Sequence, residues 1–90
     1  MYEDEIRPHR ETIDRLNNEI INKLKERVGA ALKIGEIKKH HGKPVVDKTR
    51  EQTILDRIRD KAQAKDIDPD GLERIFKEII NLCVEAEERQ

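Results

Sequence analysis

Ninety residues, 34% hydrophobic and 43% charged, with Tyr2 and Phe76 as the only aromatic residues, suffice for one small domain but not for a large core, so the chain must rely on very regular helix packing or complete its core by association. Nineteen Lys and Arg against twenty Asp and Glu leave a net charge of -1, which speaks against the basic stripe of a nucleic-acid binder. Cys83 is the single cysteine and serine is absent, which excludes an internal disulfide, a Cys-based zinc site and a Ser-His-Asp hydrolase, while the lack of a signal peptide and of an apolar run near the roughly 18 residues of a membrane span makes the cytoplasm the expected location, with no membrane partner.

The first predicted element is a helix over about residues 5–40, where Ile13, Ile20, Leu24, Ala31 and Ile34 recur on one seam. Pro8 is tolerated there if it falls in the first turn. Such a helix would be about 50 Å long at ~1.5 Å per residue, longer than a chain of this size needs, and helices of that kind find partners. A connector, "GKPVVDKTRE", follows with Gly42 and Pro44 as helix breakers. The second helix is expected over about 47–65, capped by Asp47, with Ile54, Leu55, Ile58 and Ala62 as its apolar stripe. In "DIDPDG", Asp68 is a cap and Pro69 a first helical residue. The third helix is expected over 69–88, with Leu72, Ile75, Phe76, Ile79, Ile80 and Cys83 facing inward. No segment has strand periodicity, so the fold class is all-α in a single domain over 1–90.

Cations interrupt the seam of the first helix. Steps of three and four give Arg10, Ile13, Asn17, Ile20, Leu24, Arg27, Ala31, Ile34 and Lys38. An unpaired charge on a buried seam is costly. Either these side chains reach solvent or a carboxylate across an interface, or they line a pocket that holds an anion. Arg27 and Lys38 are about 16 Å apart along the axis, close enough for two long side chains to grip one small dianion. Arg10 and Arg27 are about 26 Å apart, so Arg10 could serve the same pocket only from an antiparallel second copy. On the third helix Glu87 continues the face of Phe76, Ile80 and Cys83. It is either a solvated end of the charged tail or a carboxyl facing the pocket. His9, His40 and His41 lack the spacing of a metal site and read as solvated residues.

Taken together, "IDRLNNEIINKLKERVGAALKIGEIK", "KPVVDKTREQTILDRI" and "LERIFKEIINLCVEAEERQ" resemble the all-helical class of chorismate mutases, chorismate mutase type II, over about residues 6–89. The spacing of Asp14, Glu26, Arg27, Gly35, Lys38, Pro44, Asp47, Arg50 and Glu51 carries the resemblance. It implies an intertwined, domain-swapped homodimer of three-helix chains and an intramolecular Claisen-type rearrangement of chorismate to prephenate in aromatic amino acid biosynthesis, with no cofactor and no metal. The implied catalytic residues are Arg27, Lys38 and Glu87. Arg10 from the partner subunit, Ile34, Asp47, Arg50, Glu51 and Cys83 complete the substrate-binding set, and Pro44, Val45 and Val46 would fix the turn and close the wall. Cys83 and Glu87 stand where many members carry serine and glutamine. Glu87 would act as a neutral acid, its pKa raised by burial and lowered by Lys38 and the arginines. A lyase acting on isochorismate with the same fold and a non-catalytic helical adaptor are the alternative readings. The chain leaves no room for a fused second enzyme, so a monofunctional mutase is expected, with a complex with another aromatic-pathway enzyme as a further possibility.

Overall fold

The computed structural model describes residues 1–90 and contains three helices and no strand, α1 (Tyr2–His40), α2 (Lys48–Ala64) and α3 (Pro69–Glu88). α3 packs against both α1 and α2, whereas α1 and α2 do not pack on each other. The molecule is therefore a short α2–α3 hairpin set against one half of a long helix. Its longest dimension is 61 Å and its radius of gyration 16.9 Å, against about 12 Å for a compact chain of this length.

Local chemistry fixes each boundary. Acidic Glu3, Asp4 and Glu5 in the first turn of α1 and basic Lys38, Lys39 and His40 in its last turn complement the helix dipole. This start is three residues earlier than the sequence-based boundary and places Pro8 past the first turn, where its missing N–H leaves the Asp4 carbonyl without its usual donor. The Thr12 hydroxyl donates to the Pro8 carbonyl at 3.0 Å one turn later. At the other end Gly42, at φ +64°, closes α1. The Lys43 N–H donates to the Lys38 carbonyl at 2.8 Å and the Gly42 N–H to the Lys39 carbonyl at 3.2 Å, the bonding of a Schellman turn. α2 begins where Asp47 Oδ1 accepts the Arg50 N–H at 3.0 Å. It ends in a second Schellman turn, with Asp66 at φ 59°. α3 begins with Asp68 accepting the Gly71 N–H at 2.9 Å and Pro69 at the first helical position. Arg59 then ties α2 to α3, donating to Asp70 and Glu73 at 2.8 Å each.

The core is small. Leu55, Ala62, Ile80 and Cys83 are its buried apolar residues. Every residue of α1 from 7 to 23 is exposed, including Ile13, Ile20 and Ile21 at 55%, 56% and 61%. On α3, Ile75 does not face inward as its spacing implies. It is 57% exposed and, with Leu24, Ile79 and Leu82, lines a shallow apolar groove of about 610 Å³. α3 carries apolar side chains around more of its circumference than its contacts with α1 and α2 cover, and Ile75 falls in the remainder. No helix is long and apolar enough to cross a membrane.

Candidate active site

The C-terminal half of α1, the connector, the start of α2 and the end of α3 enclose a cavity of about 290 Å³. α1 contributes Arg27, Ala30, Ala31, Ile34 and Lys38, successive members of one helix face. The connector contributes Val45, and the first two turns of α2 contribute Arg50, Glu51 and Ile54 beside the capping Asp47. α3 closes the cavity with Ile80, Cys83, Val84 and Glu87. Three cations and three carboxylates thus converge on one apolar-walled space, although Arg27 and Glu87 are far apart in the sequence.

Two of the cations are held in place. Arg27 Nη1 donates to the sulfur of buried Cys83 at 2.9 Å, so the thiol orients the guanidinium from across the cavity. Lys38 Nζ donates to the Val45 carbonyl at 2.8 Å, which anchors the connector to α1 and holds the ammonium at the cavity wall. Glu51 is only 22% exposed and lies 3.6 Å from Lys48, a contact with a solvated ammonium that contributes little. Glu87 is the one buried charged residue, at 9% exposure. Burial pushes its carboxyl above the usual carboxylate range; Lys38 draws it part of the way back, and Glu88 adds to the rise. Lys38 is the cation whose charge lowers it.

Of the residues singled out in the sequence, Arg27, Ile34, Lys38, Asp47, Arg50, Glu51, Cys83 and Glu87 lie on this cavity. Arg10 does not. It sits on the exposed half of α1 and pairs with Glu3 at 3.4 Å. Pro44 and Val46 also stand outside the lining, and Val45 alone represents the connector there. Ala30, Ile54, Ile80 and Val84 were not singled out as site residues. Their signal in the sequence is ordinary core periodicity, which does not distinguish a pocket wall from packing.

The sequence matches the model of the family described as chorismate mutase type II over residues 9–88. The chain belongs to the chorismate mutase type II family. It is 32% identical over 89 residues to a bifunctional chorismate mutase/prephenate dehydratase of Aquifex aeolicus, covering 96% of this chain and 25% of that protein. It is 35% identical over 71 residues to a chorismate mutase of Methanocaldococcus jannaschii, covering 79% of this chain and 72% of that protein. The chain therefore spans a quarter of the bifunctional relative and most of the archaeal one. Chorismate mutases are isomerases, and chorismate mutase activity is the activity that membership of this family supports.

Proposed function

We propose that the α1–α2–α3 cavity rearranges chorismate to prephenate in a homodimer, with each site completed by Arg10 of the partner subunit. The observation that carries this reading is the convergence of Arg27, Lys38 and Arg50 with the buried Glu87 on one cavity of about 290 Å³, at the small end of ligand pockets and suited to a compact dicarboxylate.

The reaction breaks one carbon–oxygen bond of the substrate's ether as one carbon–carbon bond forms. No electron, proton or group enters or leaves, so the protein needs no nucleophile. Its first task is to hold the enolpyruvyl arm over the ring. Guanidinium forks suit this, since each grips one carboxylate through two parallel hydrogen bonds. Arg27 and Arg10 of the partner subunit take the two carboxylates, with Arg50 lining the end near the ring. Asp47 and Glu51 accept from the ring hydroxyl. The apolar wall, with Ile34 covered once a second copy packs on it, would exclude water and strengthen every polar contact inside. The second task is to stabilise the negative charge that grows on the ether oxygen. Lys38 supplies a compact positive charge there, and protonated Glu87 donates a hydrogen bond. An ionised Glu87 would repel that charge, so activity falls as pH rises through its raised pKa.

The homodimer rests on the bare half of α1. A half-helix with Ile13, Ile20 and Ile21 more than half exposed gains by burying them against a second copy, and an antiparallel copy would carry its Arg10 the ~26 Å to the other chain's cavity. Prephenate then passes to another enzyme of the pathway, a role that the bifunctional relative's own name gives to a prephenate dehydratase.

The test is loss of chorismate absorbance on adding the protein, with products separated by chromatography. Prephenate is expected. Salicylate and pyruvate from isochorismate, with no prephenate from chorismate, would replace the mutase by a lyase; no turnover of either would leave a helical adaptor.

A further inference from the structure

We propose that Gly35 is a positioning residue for Glu87: the absence of a side chain there lets the last turn of α3 lie directly on α1, and this close approach fixes the Glu87 carboxyl in the cavity beside Lys38. What is positioned is the acid of the proposed rearrangement, so the inference deepens that reading and rests on it.

Gly35 is the one buried residue of α1. Glycine weakens a helix interior, so a buried one there calls for a packing reason. A Cβ at this position would lie 2.8 Å from Gln90 Oε1, 3.1 Å from Glu87 Cγ and 3.3 Å from Glu87 Cβ. The Gln90 oxygen ends a flexible side chain and can swing away. Glu87 Cβ is fixed to its backbone and retreats only if the last turn of α3 shifts by a few tenths of an ångström, while Cγ can turn away only by swinging the carboxyl itself. Gly29, six residues earlier in the same helix, has nothing within 4 Å of its would-be Cβ. The two glycines therefore differ in what approaches them, and the approach is that of Glu87.

The placement has a consequence for the site. Glu87 lines the main cavity and also a neighbouring cleft that includes Gly35, Lys39 and Lys43. With Val45, which also lines both, it forms the wall between them. Arg27, Lys38 and Lys39 face it from α1 and Lys43 from the connector. Asp47, Arg50 and Glu51 face it from the start of α2, and Glu88 is its neighbour on α3. Lifting the last turn would move Glu87 away from Lys38 and open the wall to water.

The experiment is a carbon-detected NMR titration of the Glu87 carboxyl in the full chain without substrate, its signal assigned by loss in Glu87→Gln. Wild type, Gly29→Ala and Gly35→Ala are compared. Expected is a midpoint in Gly35→Ala that falls towards the ordinary carboxylate value, because desolvation, the largest cause of the rise, weakens. Gly29→Ala should titrate like wild type. In the chorismate assay Gly35→Ala should lose about 10- to 100-fold in kcat with KM changed far less, and Gly29→Ala should keep the wild-type rate. An unchanged midpoint in Gly35→Ala overturns the proposal. So does a wild-type midpoint in Gly35→Ala/Gln90→Ala, which would trace the contact to Gln90 alone. If Gly35→Ala melts well below wild type, Gly35→Ala/Glu87→Ala should recover the melting temperature by removing the Cγ that the new methyl meets, and failure to recover overturns the proposal. Because the titration needs no substrate, a shifted midpoint in a protein that does not turn over chorismate would sink the mutase reading and leave the positioning by Gly35 standing.

Discussion

The two halves of α1 share one seam and have different surroundings. From Leu24 to Lys38 the seam runs alongside α3, with Ile34 still half exposed, and Arg27 and Lys38 are held by Cys83 and Val45. From Arg7 to Lys23 it meets nothing in its own chain, and Arg10 has only a solvated glutamate beside it. A seam continues with the same spacing whether its own chain or another copy covers it. The contrast is what the proposed shared site requires: the half of α1 that lines the pocket does not include Arg10, and the half that carries Arg10 lines no pocket with Arg27 and Lys38.

The most damaging way to test this contrast is to remove a cation from each half. Arg27→Ala, on the covered half, should lower kcat/KM by on the order of 1,000-fold, and Arg10→Ala, on the bare half, by on the order of 100-fold. Both chains should keep the wild-type helical signal in circular dichroism. An Arg10→Ala enzyme with wild-type kinetics would confine the site to the covered half. The next effect is on association. Ile20→Glu places a charge on the bare seam, where a dimer would bury it without a partner. Sedimentation should then show monomers at concentrations where wild type is a dimer, with activity lost in parallel. A variant that still sediments like wild type would mean that Ile20 stays solvated.

Glu87 sharpens the comparison from the covered side. Since its folded-state pKa is raised, the folded chain binds more protons than the unfolded chain between the two pKa values, and stability falls as pH rises through that window. Glu87→Gln carries no such penalty. Its gain in melting temperature over wild type should be larger at pH 8 than at pH 5. Its activity should also lose the decline with rising pH that is expected of wild type, because an amide donates at either pH. A wild-type rate that is flat over this range would remove protonated Glu87 from the mechanism.

The smallest expected effect is a control that touches neither half of α1. Asp66 holds φ 59° in the turn after α2, a conformation that glycine adopts without penalty. Asp66→Gly should raise stability by up to about 1 kcal/mol in urea unfolding and leave kcat/KM unchanged.

How much of this was legible in the sequence depended on whether a feature is local. Asp47, Asp68 and Pro69 announce their turns because a cap needs only its own next few residues. The convergence of Arg27, Lys38, Glu51 and Glu87 was legible through the family's spacing, since helical periodicity alone left the seam cations free to reach solvent. Ile75 misled because an apolar residue on the right spacing carries no mark of which neighbour will cover it. The early start of α1 was hidden by Pro8, which reads as a first-turn residue and is tolerated deeper in because its end of the helix is exposed. Gly35 was visible only as part of a motif. Its tight contact with Glu87 comes from residues some fifty positions away and could not be read from its neighbours.

The most direct measurement is complementation. Arg10→Ala and Arg27→Ala chains are unfolded, mixed in equal amounts and refolded together, and the rate of prephenate formation is compared with each variant refolded alone. If each site takes Arg27 from one chain and Arg10 from the other, half of the dimers are mixed, and each mixed dimer has one site with both defects and one with neither. The mixture should then recover about a quarter of the wild-type rate. A mixture no faster than the mean of the two variants would contradict a site shared between two copies of α1.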